Sequence, residues 1–387
     1  MTDAQLTPLT PEQGEIQRMA RDFARREIAP HAAAWDRDSY FEPSLVGKMG
    51  SLGFLGMLLP EAYDGLALDT LSYLLALEEI AAADASAAVL MSVHNSLPTQ
   101  MLLRYGSDAQ RERWLPPMAR GERLGAFALS EPDAGSDAAA LRTQAVRDGD
   151  HWILDGTKAW VTNGNTAGVI LAMARTDAPD LRRGGRGISS FIITPDLPGF
   201  KVGKKESKLG LRASPTVQLT FDQMRVPGDR LLGEEGQGFI YAMQSLENGR
   251  LGIAAQAVGI ARRALELATQ YASERHQFGT PIHDFQAIQF KLADMATRVT
   301  AARAVLHAAA AMKDRGASAG AYASMAKLLA SETAMWVTTQ AIQIYGGYGY
   351  TKDFDVERLF RDAKVTEIYE GTSEIQRIVI SRSLTHR

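Results

Sequence analysis

His151-Trp152-Ile153-Leu154, Asp155-Gly156 and Lys158-Ala159-Trp160-Val161-Thr162 follow one another in the middle of the chain. Aromatic and β-branched residues on either side of an Asp-Gly pair predict a hairpin closed by a tight turn. Three more β-type runs follow, Val169–Met173, Ser190–Ile193 and Thr216–Phe221, with no helical period between them. Strands that succeed one another without helices predict an antiparallel sheet or small barrel rather than βαβ units. The block extends from about Gly121 to Gly233 and is bounded on both sides by helical sequence.

Upstream, Thr10-Pro11-Glu12-Gln13 is a helix start, with a capping residue, proline in the first turn and glutamine to close the box. Ile16, Met19, Ala20, Phe23, Ala24 and Ile28 keep a helical period up to Pro30. Helical runs are expected at about 43–52, 69–83, 86–104 and 107–119, the last opened by Ser107-Asp108-Ala109-Gln110. Downstream, Phe285, Ile288, Leu292, Met295, Ala296, Val299, Ala302 and Leu306 form an apolar stripe. Helices at about 239–274, 285–314 and 318–345, with a shorter pair after them, predict a bundle. The fold class is therefore α+β. The expected parts are an N-terminal all-helical domain (1–123), a central antiparallel β-barrel or sheet domain (124–235) and a C-terminal helical bundle (236–387).

Composition narrows the chemistry. The 387 residues carry a net charge of −3, which favours neither nucleic acid nor an anionic membrane. No cysteine is present, which removes disulfides, thiolate nucleophiles and Cys-ligated metals. The polar start from Met1 to Glu15 lacks a signal-peptide core, and no window is apolar enough to span a bilayer, so a cytoplasmic protein is the default expectation. The dinucleotide-binding Gly-x-Gly-x-x-Gly, the P-loop, Gly-x-Ser-x-Gly and His-Glu-x-x-His are all missing, and the seven histidines are scattered, so no metal site is expected. An enzyme of this composition needs carboxylate chemistry and an organic cofactor.

The stretch Asp362 to Arg377 offers such a carboxylate. Glu370 precedes Gly371, and Ser373 stands three residues before Gln376 at capping-box spacing, ahead of Ile375, Ile378 and Val379. Glu370, with Tyr369 beside it, is thus expected on a turn before a helix N-terminus, a good place for a general base. An ordinary acidic residue in a solvated loop is the alternative that this stretch alone leaves open.

Three stretches resemble the acyl-CoA dehydrogenase family. Ala128-Leu129-Ser130-Glu131-Pro132-Asp133-Ala134-Gly135-Ser136-Asp137 resembles its first motif. Gln343-Ile344-Tyr345-Gly346-Gly347-Tyr348-Gly349-Tyr350, continuing through Asp353, Arg358 and Asp362, resembles its second. Ile368-Tyr369-Glu370-Gly371-Thr372 looks like its catalytic segment. The resemblance covers nearly the whole chain and implies an FAD enzyme that converts acyl-CoA to trans-2-enoyl-CoA, with electron-transferring flavoprotein as acceptor and a homotetramer, a dimer of dimers, as the assembly. It implies Glu370 as the base. It implies FAD contacts from Phe127, Leu129, Ser130, Gly135, Ser136, Trp160, Thr162, Thr372 and Glu374. Further FAD contacts are implied for Arg275, Gln277, Phe278 and Gln286, with Gln343, Gly346 and Gly347 expected from a second subunit. Substrate contacts are implied for Ser136, Glu247, Arg250, Tyr369 and Gly371. Some branches place the base near residue 249, where this chain has Gly249, and Glu247 to Ala254 is most similar to the short-chain, butyryl type. Short straight or branched acyl chains are therefore expected. An oxygen-using oxidase of the same superfold and a cofactor-less helical binding protein are the competing readings.

Overall fold

A computed structural model of the chain describes residues 6–177 and 184–385. The stretch Arg182 to Gly187 reads from its sequence as a solvated loop, and its first two residues, Arg182 and Arg183, lie outside the described residues. The N-terminal part is helical: α1 (Pro11–Phe23), α2 (Ala32–Asp38), α3 (Ser44–Ser51), α4 (Thr70–Ala83), α5 (Ala85–Ser96), α6 (Pro98–Tyr105) and α7 (Asp108–Ala119). The capping boxes expected at Thr10/Gln13 and Ser107/Gln110 are both formed. The single run expected over 86–104 is two helices. Pro98 has no N–H to give to a preceding turn, so α5 stops at Leu97 and proline takes the first position of α6. Helices α4 and α5 are buried almost all round, as apolar helices at the centre of a fold must be.

The sheet contains β1 (Leu124–Ala128), β2 (Gln144–Asp148), β3 (His151–Thr162), β4 (Ala167–Arg175), β5 (Ile188–Ile193), β6 (Phe200–Lys205), β7 (Thr216–Pro227) and β8 (Leu231–Leu232). Its order is β6-β7-β3-β2-β4-β5-β8, with β1 paired to β4. Most neighbours are antiparallel, but β1 and β2 both run parallel to β4, so the sheet is mixed. The hairpin expected at Asp155-Gly156 is displaced. Residues 151–162 form one continuous strand, and the tight turn is Gly149-Asp150, which joins β2 to β3. Asp155-Gly156 instead marks a register shift against β7, where a Cβ on Gly156 would come within 2.5 Å of Thr143 Oγ1. Glycine serves close approach there rather than chain reversal.

The C-terminal part contains α8 (Gly238–Glu274), a two-residue-stranded hairpin of β9 (His276–Gln277) and β10 (Thr280–Pro281), α9 (Gln286–Asp314), α10 (Gly320–Tyr345), α11 (Asp355–Val365) and α12 (Ser373–Thr385). Helices α8 and α10 run parallel. Arg250 Nη1 lies 3.3 Å from Ser324 Oγ near their N-terminal ends, and the Tyr271 and Tyr345 rings stack at 4.0 Å near their C-terminal ends. Alanines pave the seam, among them Ala257, Ala261, Ala264, Ala326, Ala330 and Ala334, all buried. Small side chains bring the two backbones close and make the pair a stiff rod. One apolar core joins these helices to α4 and α5.

Candidate active site

Glu370 stands in the link between α11 and α12 with φ +53°, followed by Gly371 at φ +95°. A left-handed glutamate is uncommon and persists only where its surroundings fix it. Here Gln376 Nε2 donates to Gly371 O at 2.8 Å and to Glu370 O at 3.2 Å, and Lys327 Nζ donates to Gly371 O at 2.8 Å. The capping box expected at Ser373/Gln376 is not formed, because Gln376 is occupied in this clamp. The cap is Thr372, whose Oγ1 accepts the Ile375 N–H at 3.4 Å, and Ser373 is the first helical residue.

The turn carries the Glu370 carboxylate onto α8, directly above Gly249. A Cβ on Gly249 would stand 1.8 Å from Glu370 Oε2. Both carboxylate oxygens are buried and lack a hydrogen-bond partner among the described residues. Burial pushes the group up to about 7, against the pull of Lys327 and Arg250. Beside it the Tyr369 hydroxyl donates to Gln256 Oε1, and Gln256 Nε2 reaches Ala85 O at 2.8 Å. Among the described residues no acceptor pairs with the Glu370 N–H. The result is a dry carboxylate poised near neutrality, with its lone pairs unspent and a free donor on its own backbone.

A second group of expected residues converges on the sheet. Phe127 lies next to the end of β1, with Leu129 and Ser130 just beyond the strand, and the Ala159 N–H donates to Ser130 O at 2.9 Å. A register shift between Lys158 and Val161 puts Trp160 at φ +60° and turns its ring outward, 64% exposed. Thr162 is half-buried next along the strand, and Gly135 and Ser136 lie on the exposed turn that follows Ser130. Beneath them Lys158, fully buried, donates to Glu131 Oε1 at 2.7 Å and to Leu129 O at 3.2 Å. Glu131 also takes the Arg142 and Thr143 N–H groups at 2.6 and 2.9 Å. An indole held outward on a bulge, beside a hydroxyl and open backbone, fits a flat ring with polar edges. Thr372 and Glu374 follow Glu370 at the start of α12.

A third group lies elsewhere. Arg275, Gln277, Phe278, Gln286, Gln343, Gly346 and Gly347 are exposed and cluster where α8 and α10 end. The Arg275 guanidinium sits 5.6 Å from the Tyr348 ring centroid, and Phe278, at φ +53°, is 96% exposed. Within one chain Arg275 and Gln343–Gly347, expected to act from different subunits on one cofactor, stand together. The parallel rod gathers both segments at one end of one chain. From Gly249 to Arg275 is 26 residues along α8, so this cluster lies roughly 40 Å from Glu370 at 1.5 Å per residue. Arg250 is buried one turn beyond exposed Glu247 and faces Glu370. Lys327 and the Glu131–Lys158 pair were not singled out from sequence, and Gln376 was read only as the partner in a capping box. The signal for Lys327 was its place in the buried stripe Ala323, Ala326, Lys327, Ala330, Ala334.

Known proteins match the whole of this arrangement. The family models for the acyl-CoA dehydrogenase N-terminal, middle and C-terminal domains match residues 10–122, 126–224 and 236–385. The mitochondrial short-chain specific acyl-CoA dehydrogenase of Rattus norvegicus is 49% identical, over 95% of this chain and 89% of its own. Butyryl-CoA dehydrogenase from Megasphaera elsdenii superposes with a TM-score of 0.96 at 42% identity, covering 98% of this chain and 100% of that one. A chain from the structural study of the electron transferring flavoprotein of Acidaminococcus fermentans also scores 0.96, at 46% identity, over 98% and 99%. The chain belongs to the acyl-CoA dehydrogenase family of FAD-dependent oxidoreductases.

Proposed function

We propose that the protein oxidises short-chain acyl-CoA thioesters to trans-2-enoyl-CoA and passes the electrons to an electron-transferring flavoprotein. The observation that carries this is the Glu370 carboxylate, dry, unpartnered and seated on Gly249. FAD would be held at its ring end by Phe127, Leu129, Ser130, Gly135, Ser136, Trp160, Thr162, Thr372 and Glu374. Arg275, Gln277, Phe278, Gln286, Gln343, Gly346 and Gly347 of a second copy would hold the diphosphate and adenosine end. Arginine suits a diphosphate because its fork can bind two oxygens at once. Bound FAD would supply the acceptor for the hydride that leaves the substrate β-carbon.

The rest is the work of this chain. A thioester α-hydrogen is a weak acid, so its removal needs an aligned base and a donor for the oxygen that gains charge. Glu370 takes the proton, and its free N–H faces the thioester oxygen. Ser136, Glu247, Arg250, Tyr369 and Gly371 contact the substrate. Similarity to the short-chain and butyryl-CoA enzymes supports a short acyl group, and similarity to the chain from the flavoprotein study supports the acceptor.

The test is Glu370→Gln, mixed anaerobically with butyryl-CoA. Substrate should shift the oxidised flavin band without bleaching it, since a lost general base costs ~10²–10⁴-fold. Bleaching at close to the wild-type rate would remove Glu370 from the role.

A further inference from the structure

Lys327 lies in the small-residue stripe of α10, where every neighbouring position of the buried face is alanine or another compact residue. Its side chain is 0% exposed. A buried ammonium is expensive unless something compensates it. Among the described residues the compensation lies at one place. The ammonium donates to Gly371 O at 2.8 Å, and the charges acting on it are Glu370, Glu367 and Glu374, with Arg250 opposing.

We propose that Lys327 is a positioning residue for the base, pinning the left-handed Glu370–Gly371 turn through the Gly371 carbonyl and setting its charge against the Glu370 carboxylate. The proposal rests on the reading of Glu370 as base. Two donors meet at Gly371 O, Lys327 from α10 and Gln376 from α12. They hold the peptide unit that follows Gly371, and Gln376 also holds the one before it through Glu370 O at 3.2 Å. Gln376 is neutral, so it can fix the turn but cannot balance a charge. Lys327 does both.

The electrostatic half follows from burial. The groups facing Glu370 are Arg250 of α8, Lys327 of α10, Tyr73 of α4 and Tyr369 of the link itself. Glu247 acts on Arg250, and Glu367 and Glu374 act on Lys327. Only the two cations favour the ionised carboxylate. Burial alone raises it, and with both cations present it stands at about 7. Without Lys327 the competent fraction shrinks and recovers only at higher pH.

The experiment is the pH profile of flavin reduction by butyryl-CoA under anaerobic conditions, for wild type, Lys327→Met and Lys327→Arg. For Lys327→Met the midpoint should rise by at least ~1 unit, with a tenfold or larger loss of rate below it that is regained at alkaline pH. Lys327→Arg, which keeps the charge, should keep the wild-type midpoint even if its bulk lowers the rate. A Lys327→Met midpoint equal to wild type would overturn the proposal. Thermal melting gives a readout independent of turnover. Above the raised midpoint, where Glu370 is ionised, Lys327→Met should lower the melting temperature, and Glu370→Gln in the same chain should restore part of the loss, because it removes the uncompensated charge. A double variant that melts no higher than Lys327→Met would overturn the proposal, even if the single variant folds too poorly to assay. Failure of the base reading is separate, since it shows as flavin reduction by Glu370→Gln.

Discussion

Gly249→Ala is the sharpest perturbation available. The added methyl would lie 1.8 Å from Glu370 Oε2, where ordinary contacts begin near 3.4 Å, so one partner must retreat by the difference, about 1.6 Å. The Gly249 backbone is locked inside α8, whereas Oε2 is the far end of a flexible side chain. The carboxylate therefore gives way. Misplacing a reacting group by about 1 Å can cost ~10²-fold in rate, so flavin reduction by butyryl-CoA should fall by ~10²-fold or more. Stability should move the other way. Alanine in a helix interior is favoured over glycine by roughly 0.5–1 kcal/mol, and the clash is relieved in a side chain, so the melting temperature should hold or rise. The assays are anaerobic stopped-flow bleaching of the flavin band and a thermal melt on the same sample. A variant that reduces its flavin at the wild-type rate would show that the carboxylate does not work from its seat on Gly249. A variant that loses both rate and stability would show that α8, not Glu370, absorbs the clash.

Lys158→Met should strand the Glu131 carboxylate beneath the Ser130 turn. Breaking a buried pair costs ~3–5 kcal/mol, here toward the lower end because the Arg142 and Thr143 N–H groups remain, and FAD content after gel filtration should drop with the melting temperature. Asp362→Asn probes a buried acid cluster. Burial and the neighbouring Asp84 hold Asp362 up to about 7, and Asp84 itself is raised to about 6. The folded state thus binds more protons than the unfolded chain between about pH 4 and 7, and this contribution to stability is lost as pH rises through that window. The gain of Asp362→Asn over wild type in urea melts should therefore grow from pH 5 to pH 8, and a gain independent of pH would refute the account. In a dye-reduction series from C4 to C16 acyl-CoA, activity should peak at the short end, and a peak at the long end would overturn the short-chain assignment.

The legible parts of the fold were those written in local chemistry. Thr10/Gln13 and Ser107/Gln110 each satisfy backbone donors within one turn, so the two helix starts could be read without knowing their neighbours. Asp155-Gly156 misled because the same dipeptide suits a tight turn and a strand position pressed against Thr143, and only the partner strand distinguishes them. Ser373 misled for a related reason, since Gln376 was claimed by carbonyls at 370 and 371 rather than by the cap. Glu370 and its glycine were readable as a motif. What seats the carboxylate was not, because Gly249, Lys327 and Gln256 come from helices more than forty residues away in sequence. Nor could sequence show that Arg275 and Tyr348 share one end of the molecule, which depends on two distant helices running the same way.

On the proposed reading, the parallel rod of α8 and α10 sets two partial binding regions too far apart to serve one cofactor from one chain. Under the proposed arrangement each chain lends its far end to a neighbour and borrows the neighbour's in return. Lesions at the two ends are then separable between molecules. A chain bearing Glu370→Gln and a chain bearing Arg275→Ala would each be inactive when assembled with itself. Co-expressed, they would form hybrids in which one composite site collects both lesions and the other collects none. Two dead alleles would thus complement each other in one cell, an effect that a cofactor held within a single chain could not produce.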